Sequence, residues 1–130
     1  MGKVNSALML QRLVFDKIEF NRKGFKNDSE PEFQIEVQIG YDENLYRVTL
    51  VLKAEKKEEY EFLISLSGFF TIDESSELTA EQHMHLINKN AVAILMPYLR
   101  SQVSLLTAQP ETDCVVLPPF NINKMLDKNV

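Results

Sequence analysis

The hydrophobic pattern of this chain changes period once, and the change falls after Asp73. Up to that point apolar residues recur every second position. After it they recur at helical spacing. A chain patterned in this way segregates its strands from its helix, which predicts an α+β domain with a sheet built first and a helix laid on one of its faces. The clearest stretch is Phe33-Gln-Ile-Glu-Val-Gln-Ile39, which alternates apolar and polar residues without error, as a strand with one wet face does. Leu8 to Phe20 is also strand-like. There Leu13 and Phe15 share one phase and Ile18 and Phe20 the other, so a bulge is expected at Asp16-Lys17, because one extra residue flips every later side chain. Tyr46, Val48, Leu50 and Leu52 mark a third strand. Tyr60, Phe62, Ile64, Leu66, Phe70 and Ile72 mark a fourth, with Gly68 in the same row. Turn-rich segments separate them: NRKGFKNDSEPE from Asn21, Gly40 to Asn44, and the charged run Glu55 to Glu59. The reading is a four-stranded antiparallel meander with a long first connection.

Thr79 stands three residues before Gln82 in a capping-box pattern, and Met84, Ile87, Ala91, Ile94, Leu95, Tyr98, Leu105 and Leu106 follow at helical spacing. They predict one helix over about 79 to 108, roughly 43 Å long. Pro97 inside it removes one backbone donor and predicts a kink, not a stop. Leu117-Pro-Pro-Phe-Asn-Ile-Asn-Lys-Met-Leu126 reads as an extended stretch leading into a short C-terminal helix capped by Asn121 or Asn123. The whole chain, 1–130, forms a single domain on this reading.

The run Ala91-Val-Ala-Ile-Leu-Met96 is apolar on every side of a helix, whereas one sheet covers only one stripe. A second copy of the chain is the expected cover, with Ala91, Ile94, Leu95 and Tyr98 at the interface. The opposite phase of the fourth strand holds Leu63 and Phe69 between Ser65, Ser67 and Thr71. Either these two lie under the 21–32 connection or they contribute to a binding surface.

Catalytic chemistry finds little support. His83 and His85, two apart, point to different sides of a helix and cannot chelate one metal together. Cys114 follows the carboxylate of Asp113, a neighbour that does not activate a thiol. The glycines at 2, 24, 40 and 68 build no phosphate loop, and the paired acids fall in turns. The expectation is a protein without enzymatic activity, metal or cofactor. Net charge is −5, with the acids concentrated between residues 27 and 82, which disfavours nucleic acid as a partner. One cysteine, no leader-like N-terminus and no stretch of ~20 apolar residues point to a cytoplasmic protein not inserted in a membrane.

Several strings together resemble the SecB family of protein-export chaperones. They are Gln11-Arg12-Leu13, Ser67-Gly68-Phe69-Phe70-Thr71-Ile72, Asn90-Ala91, Ile94-Leu95-Met96-Pro97-Tyr98-Leu99-Arg100-Ser101 and Leu117-Pro118-Pro119-Phe120-Asn121. The resemblance implies a SecB-like fold, assembled through strands into dimers and through the long helices into a tetramer. It also implies an ATP-independent holdase that binds unfolded, export-competent polypeptides in apolar grooves between the sheet, the first connection and the C-terminal helix. Carried to this chain, the client-binding residues are Phe15, Phe25, Phe33, Leu117, Phe120, Met125 and Leu126. Aromatic and methionine side chains adapt to many apolar sequences without a fixed hydrogen-bond pattern. The sequence departs from the family where acidic residues on the outer sheet face meet the SecA motor, since Lys17, Asn21 and Leu63 stand there. That weakens the expectation of a SecA partner and leaves two further readings: a module dedicated to one partner such as an antitoxin, or a binder of a small ligand.

Overall fold

A computed structural model of the chain describes residues 8–42, 45–72 and 80–120, without the side chains of residues 80–84 and 86. Strands β1 (Leu8–Arg22), β2 (Glu32–Asp42), β3 (Leu45–Lys56) and β4 (Tyr60–Ile72) precede a single helix, α1 (Ala80–Thr107). All pairings are antiparallel. The expected meander holds for β2, β3 and β4 only. The strand order is β1-β4-β3-β2, so β1 lies beside β4 and not beside its neighbour in sequence. The physical reason is the length of the first connection. Short turns fix β2 on β3 and β3 on β4, whereas the segment after Arg22 is long enough to pass the β3–β4 turn and leave β1 on the far edge.

The bulge at Asp16 is present: Phe15 pairs with Leu66 and Lys17 with Ser65. A second one sits at Gln11, between the Leu10–Phe70 and Arg12–Phe69 pairs. These two insertions bring Leu8, Leu10, Leu13, Phe15, Ile18 and Phe20 onto the helix side of the sheet, where strict alternation would have placed Arg12 and Asp16. On β4 the whole even-numbered row from Tyr60 to Phe70 is buried.

Helix α1 packs on β1, β3 and β4 and leaves β2 at its margin. It continues through Pro97 without a break. Ile87, Ala91, Val92, Leu95, Leu99 and Val103 face the sheet and are fully buried. Ala91 and Leu95 are therefore core residues of one chain, which corrects their expected place at an interface between copies. The outward stripe is Ala93, Ile94, Pro97, Tyr98, Ser101 and Leu105, all exposed except half-buried Ile94. The helix approaches β4 closely at Gly68, where an added Cβ would lie 2.6 Å from Leu95 Cδ2 and 2.8 Å from the Phe70 ring. After α1 the chain turns through Glu111, in the left-handed region at φ 57°, and folds back along the helix. Val115 N–H donates to Thr107 Oγ1 at 2.8 Å and Ser104 Oγ donates to the Val115 carbonyl at 3.0 Å. Leu117 thereby enters the core, 1% exposed. The Thr79 cap and the expected C-terminal helix lie outside the described residues.

Gly68→Val is expected to force α1 off the sheet and to cost about 1–3 kcal/mol in urea denaturation followed by far-UV circular dichroism. Leu95→Ala, destabilising by itself, should cost less in the Gly68→Val background than in the wild type, because it vacates the space the valine needs.

Candidate functional site

One end of the helix-side face collects aromatic residues. Phe33, Ala54, Phe62 and Phe20 form one cross-strand row over β2, β3, β4 and β1. Phe20 packs on Tyr60 and Phe62, with ring centroids 5.1 and 6.3 Å away. Tyr60 and Phe62 are buried, while Phe20 and Phe33 are half-buried. The connection after β1 and the segment after α1 both converge on this end.

They are held there by a polar cluster around the β3–β4 turn. Lys56 Nζ and Glu59 Oε1 form an ion pair at 2.9 Å with side chains 6% and 0% exposed. The same carboxylate oxygen accepts from Asn27 N–H at 2.8 Å, and the Glu59 carbonyl accepts from the N–H groups of Lys23 and Gly24 at 2.7 and 3.1 Å. Asn27 Nδ2 donates to the Lys57 carbonyl at 2.9 Å. At Gly24 a side chain would collide with the Glu58 carbonyl oxygen, so only glycine lets the two backbones come this close. Arg22 donates to the Gly24 carbonyl, the Glu111 carbonyl and Thr112 Oγ1, and Lys26 pairs with Asp113 at 2.9 Å. The connection and the post-helix segment are thus tied to the turn and to each other.

Burial pushes the Glu59 carboxyl up, but the hydrogen bonds from Lys56 and Asn27 and the charges of Lys56 and Arg22 outweigh it and hold it below the ordinary carboxylate value. The hydrogen bond from Lys26 does the same for Asp113, and that pairing raises Lys26 in turn.

Phe25, at the tip of this anchored connection, is 92% exposed. Phe15 and Phe120 are half-buried at the rim of the core, Phe15 at a different level of the sheet and on the opposite edge from Phe33. Leu117 is corrected: it is a core residue, unavailable to a ligand while residues 113–117 stay folded back on α1. Met125 and Leu126 lie outside the described residues. Two residues that sequence reasoning passed over belong to this surface. Val116 is 73% exposed beside buried Leu117, and Phe20 completes the aromatic row. The phase change at Asp16 already placed Phe20 on a face, whereas Val116 carried no periodic signal.

On the outer face Leu63 and Phe69 are both half-buried. Phe69 lies between two guanidinium groups, Arg12 at 4.6 Å and Arg47 at 5.3 Å from the ring centre. Arg47 is fixed by Asp16 at 2.9 Å, so the bulged residue supplies its counter-charge. Leu63 and Asn21 line a shallow depression of about 370 Å³ together with Glu19, Glu32, Glu55, Glu61 and Lys53. Acidic residues therefore surround the positions where acids had been expected and are missing. Lys17 pairs with Glu19 at 3.4 Å on the surface. Cys114 is exposed, its thiol against the Ser104 carbonyl, and His85 is exposed on α1. Among the described residues no three His, Cys, Asp or Glu side chains group as metal ligands, and no helix is long and apolar enough to cross a membrane.

Residues 6–130 match the family model described as SecB, preprotein translocase subunit SecB. The chain belongs to the SecB family. This SecB-family chain is similar, at 31% identity, to the uncharacterized protein MJ0357 of Methanocaldococcus jannaschii, over 92% of its own length and 83% of the relative's. Its fold is that of the Mycobacterium tuberculosis Rv1957 SecB-like chaperone, solved with a ChAD peptide from the Rv1956 HigA1 antitoxin. The TM-score is 0.74 at 12% identity, covering 89% of this chain and 92% of that one.

Because Glu59 and Asp113 bind protons less readily folded than unfolded, their contribution to stability is fully present above the unfolded carboxylate value of ~4 and is lost as pH falls through the lower folded values. Hydrogen exchange across a pH series below about 4 should show residues 23–27 and 111–115 opening before the amides of β3 and β4. Simultaneous loss of protection everywhere would show that the cluster does not hold these segments.

Proposed function

We propose that this SecB-family chain is an ATP-independent holdase that binds extended apolar segments of unfolded polypeptides. The observation that carries the reading is Phe25, a phenylalanine almost wholly in solvent on an anchored connection, at the same end of the sheet as half-buried Phe20 and Phe33. An exposed aromatic next to a half-open apolar row suits a partner that supplies apolar side chains. Phe15 and Phe120 extend the contact along the rim of the core, and Met125 and Leu126 belong to the same proposed set. Family membership supports the same reading.

Four carboxylates, Glu19, Glu32, Glu55 and Glu61, surround Leu63 on the outer face, three of them in surface ion pairs with Lys17 or Lys23, and onward transfer to a SecA-type motor would draw on them. A dedicated role is favoured by one observation, the antitoxin peptide bound to the fold neighbour. A pull-down from the source lysate separates the two: many clients for a general holdase working in the cytoplasm, one for a dedicated chaperone. Assembly into a tetramer, a dimer of dimers, is proposed through the outward stripe of α1, with Ile94 and Tyr98 at its centre, and through the edge of β1.

In light scattering of a reduced, unfolded client, near-stoichiometric protein should suppress aggregation without nucleotide. Phe25→Ala should weaken client binding by about 1–2 kcal/mol, roughly 5–30-fold, with the fold unchanged. Unaltered client aggregation in the presence of the wild type removes the holdase reading. For assembly, Tyr98→Glu with Ile94→Asp should lower the mass seen by size exclusion with multi-angle light scattering, and a wild type that is monomeric at micromolar concentration rules the interface out.

A further inference from the structure

We propose that Glu59 is a positioning residue for client binding: its buried carboxylate and carbonyl hold Phe25 in place as a preformed contact. The inference rests on the holdase reading and adds to it the residue that sets the contact. Phe25 is bracketed. On its N-terminal side Lys23 and Gly24 donate to the Glu59 carbonyl, and on its C-terminal side Asn27 N–H donates to Glu59 Oε1. Both anchors of a short arch therefore end on one residue, which lies behind the arch in the β3–β4 turn and is 0% exposed. Glu59 cannot touch a client itself. An aromatic side chain held up from a fixed backbone loses less conformational freedom on binding than one on a loose loop, so its affinity depends on the anchor.

The carboxylate cannot be replaced by chance neighbours. Among the described residues Glu59 Oε2 has no hydrogen-bond partner, and Oε1 serves both Lys56 and Asn27. Among the described residues Lys56, 6% exposed, has only Asp113 at 4.0 Å as an alternative partner, and Asp113 is engaged by Lys26. Loss of charge at Glu59 leaves a buried ammonium poorly compensated and pulls on the arch that carries Phe25.

The test is a double-mutant cycle on Phe25→Ala and Glu59→Gln. Binding of fluorophore-labelled, reduced and carboxymethylated α-lactalbumin is followed by anisotropy, with amide exchange measured on the same proteins without client. Glu59→Gln should weaken binding about fivefold in the wild type and have no further effect in Phe25→Ala, because it acts through that ring. Equal losses in both backgrounds, or none in either, overturn the inference. Should Glu59→Gln fail to fold, Lys56→Met with Glu59→Leu removes the buried charges together, keeps the packing and, unlike glutamine, deprives Asn27 N–H of its acceptor. The client-free arm stands alone if the wild type binds no client, an outcome that refutes the holdase reading. Faster exchange confined to residues 23–27 then supports positioning by Glu59, and unchanged exchange there overturns it.

Discussion

The approach of Leu95 to Gly68 sets the distance between the helix and the sheet, and most of the molecule follows from that distance. With no side chain at residue 68, α1 settles onto β4 closely enough to bury Ile87, Ala91, Val92, Leu95, Leu99 and Val103 in one seam. The seam runs over β4 and its neighbours, so it leaves the β2 margin of the helix-side face thinly covered and Phe33 only half-buried. Where the helix ends is equally consequential. The return of residues 113–117 along its last turns places Leu117 in the core and leaves Val116 in solvent.

The two halves of the molecule use different physics. On the helix side, the middle of the sheet is apolar packing. The end that carries Phe25 is held by polar groups: a buried ion pair, three backbone N–H groups that end on Glu59, and Arg22 reaching across to residues 111 and 112. A buried pair of this kind contributes little net stability compared with apolar residues of the same size, but it specifies one geometry, because removing either partner leaves the other uncompensated. Placing such a cluster beneath an exposed aromatic residue keeps that residue fixed without covering it.

Much of this was legible in the sequence wherever the signal was periodic and local. The four strands, the helix through Pro97, the bulge at Asp16 and the even-numbered core row of β4 all follow from spacing. The pairing of β1 with β4 did not, because a strand's partner across a long connection leaves no local trace. The bulge at Gln11 was invisible for a different reason: Leu8, Met9 and Leu10 are all apolar, so no phase can be read there. Ala91 and Leu95 were misplaced because a run apolar on every side does not say which stripe meets the sheet. For the site, the exposed position of Phe25 was accessible from the turn-rich composition around it, while the part played by Glu59 was not. A glutamate in a charged turn reads as solvated, and only the fold reveals that the connection closes over it.

The placement of β1 also dictates an order of events. Strands β2, β3 and β4 can close on one another through short turns, but β1 pairs Leu8 with Ile72 and Arg22 with Tyr60, so it has no partner until β4 exists. During synthesis from the N-terminus, β1 leaves the ribosome well before the strand it pairs with, and its leucines and phenylalanines wait in solvent while some fifty further residues are made. A chain of this family thus passes through the unprotected state of its own proposed clients before it acquires the surface that would receive them.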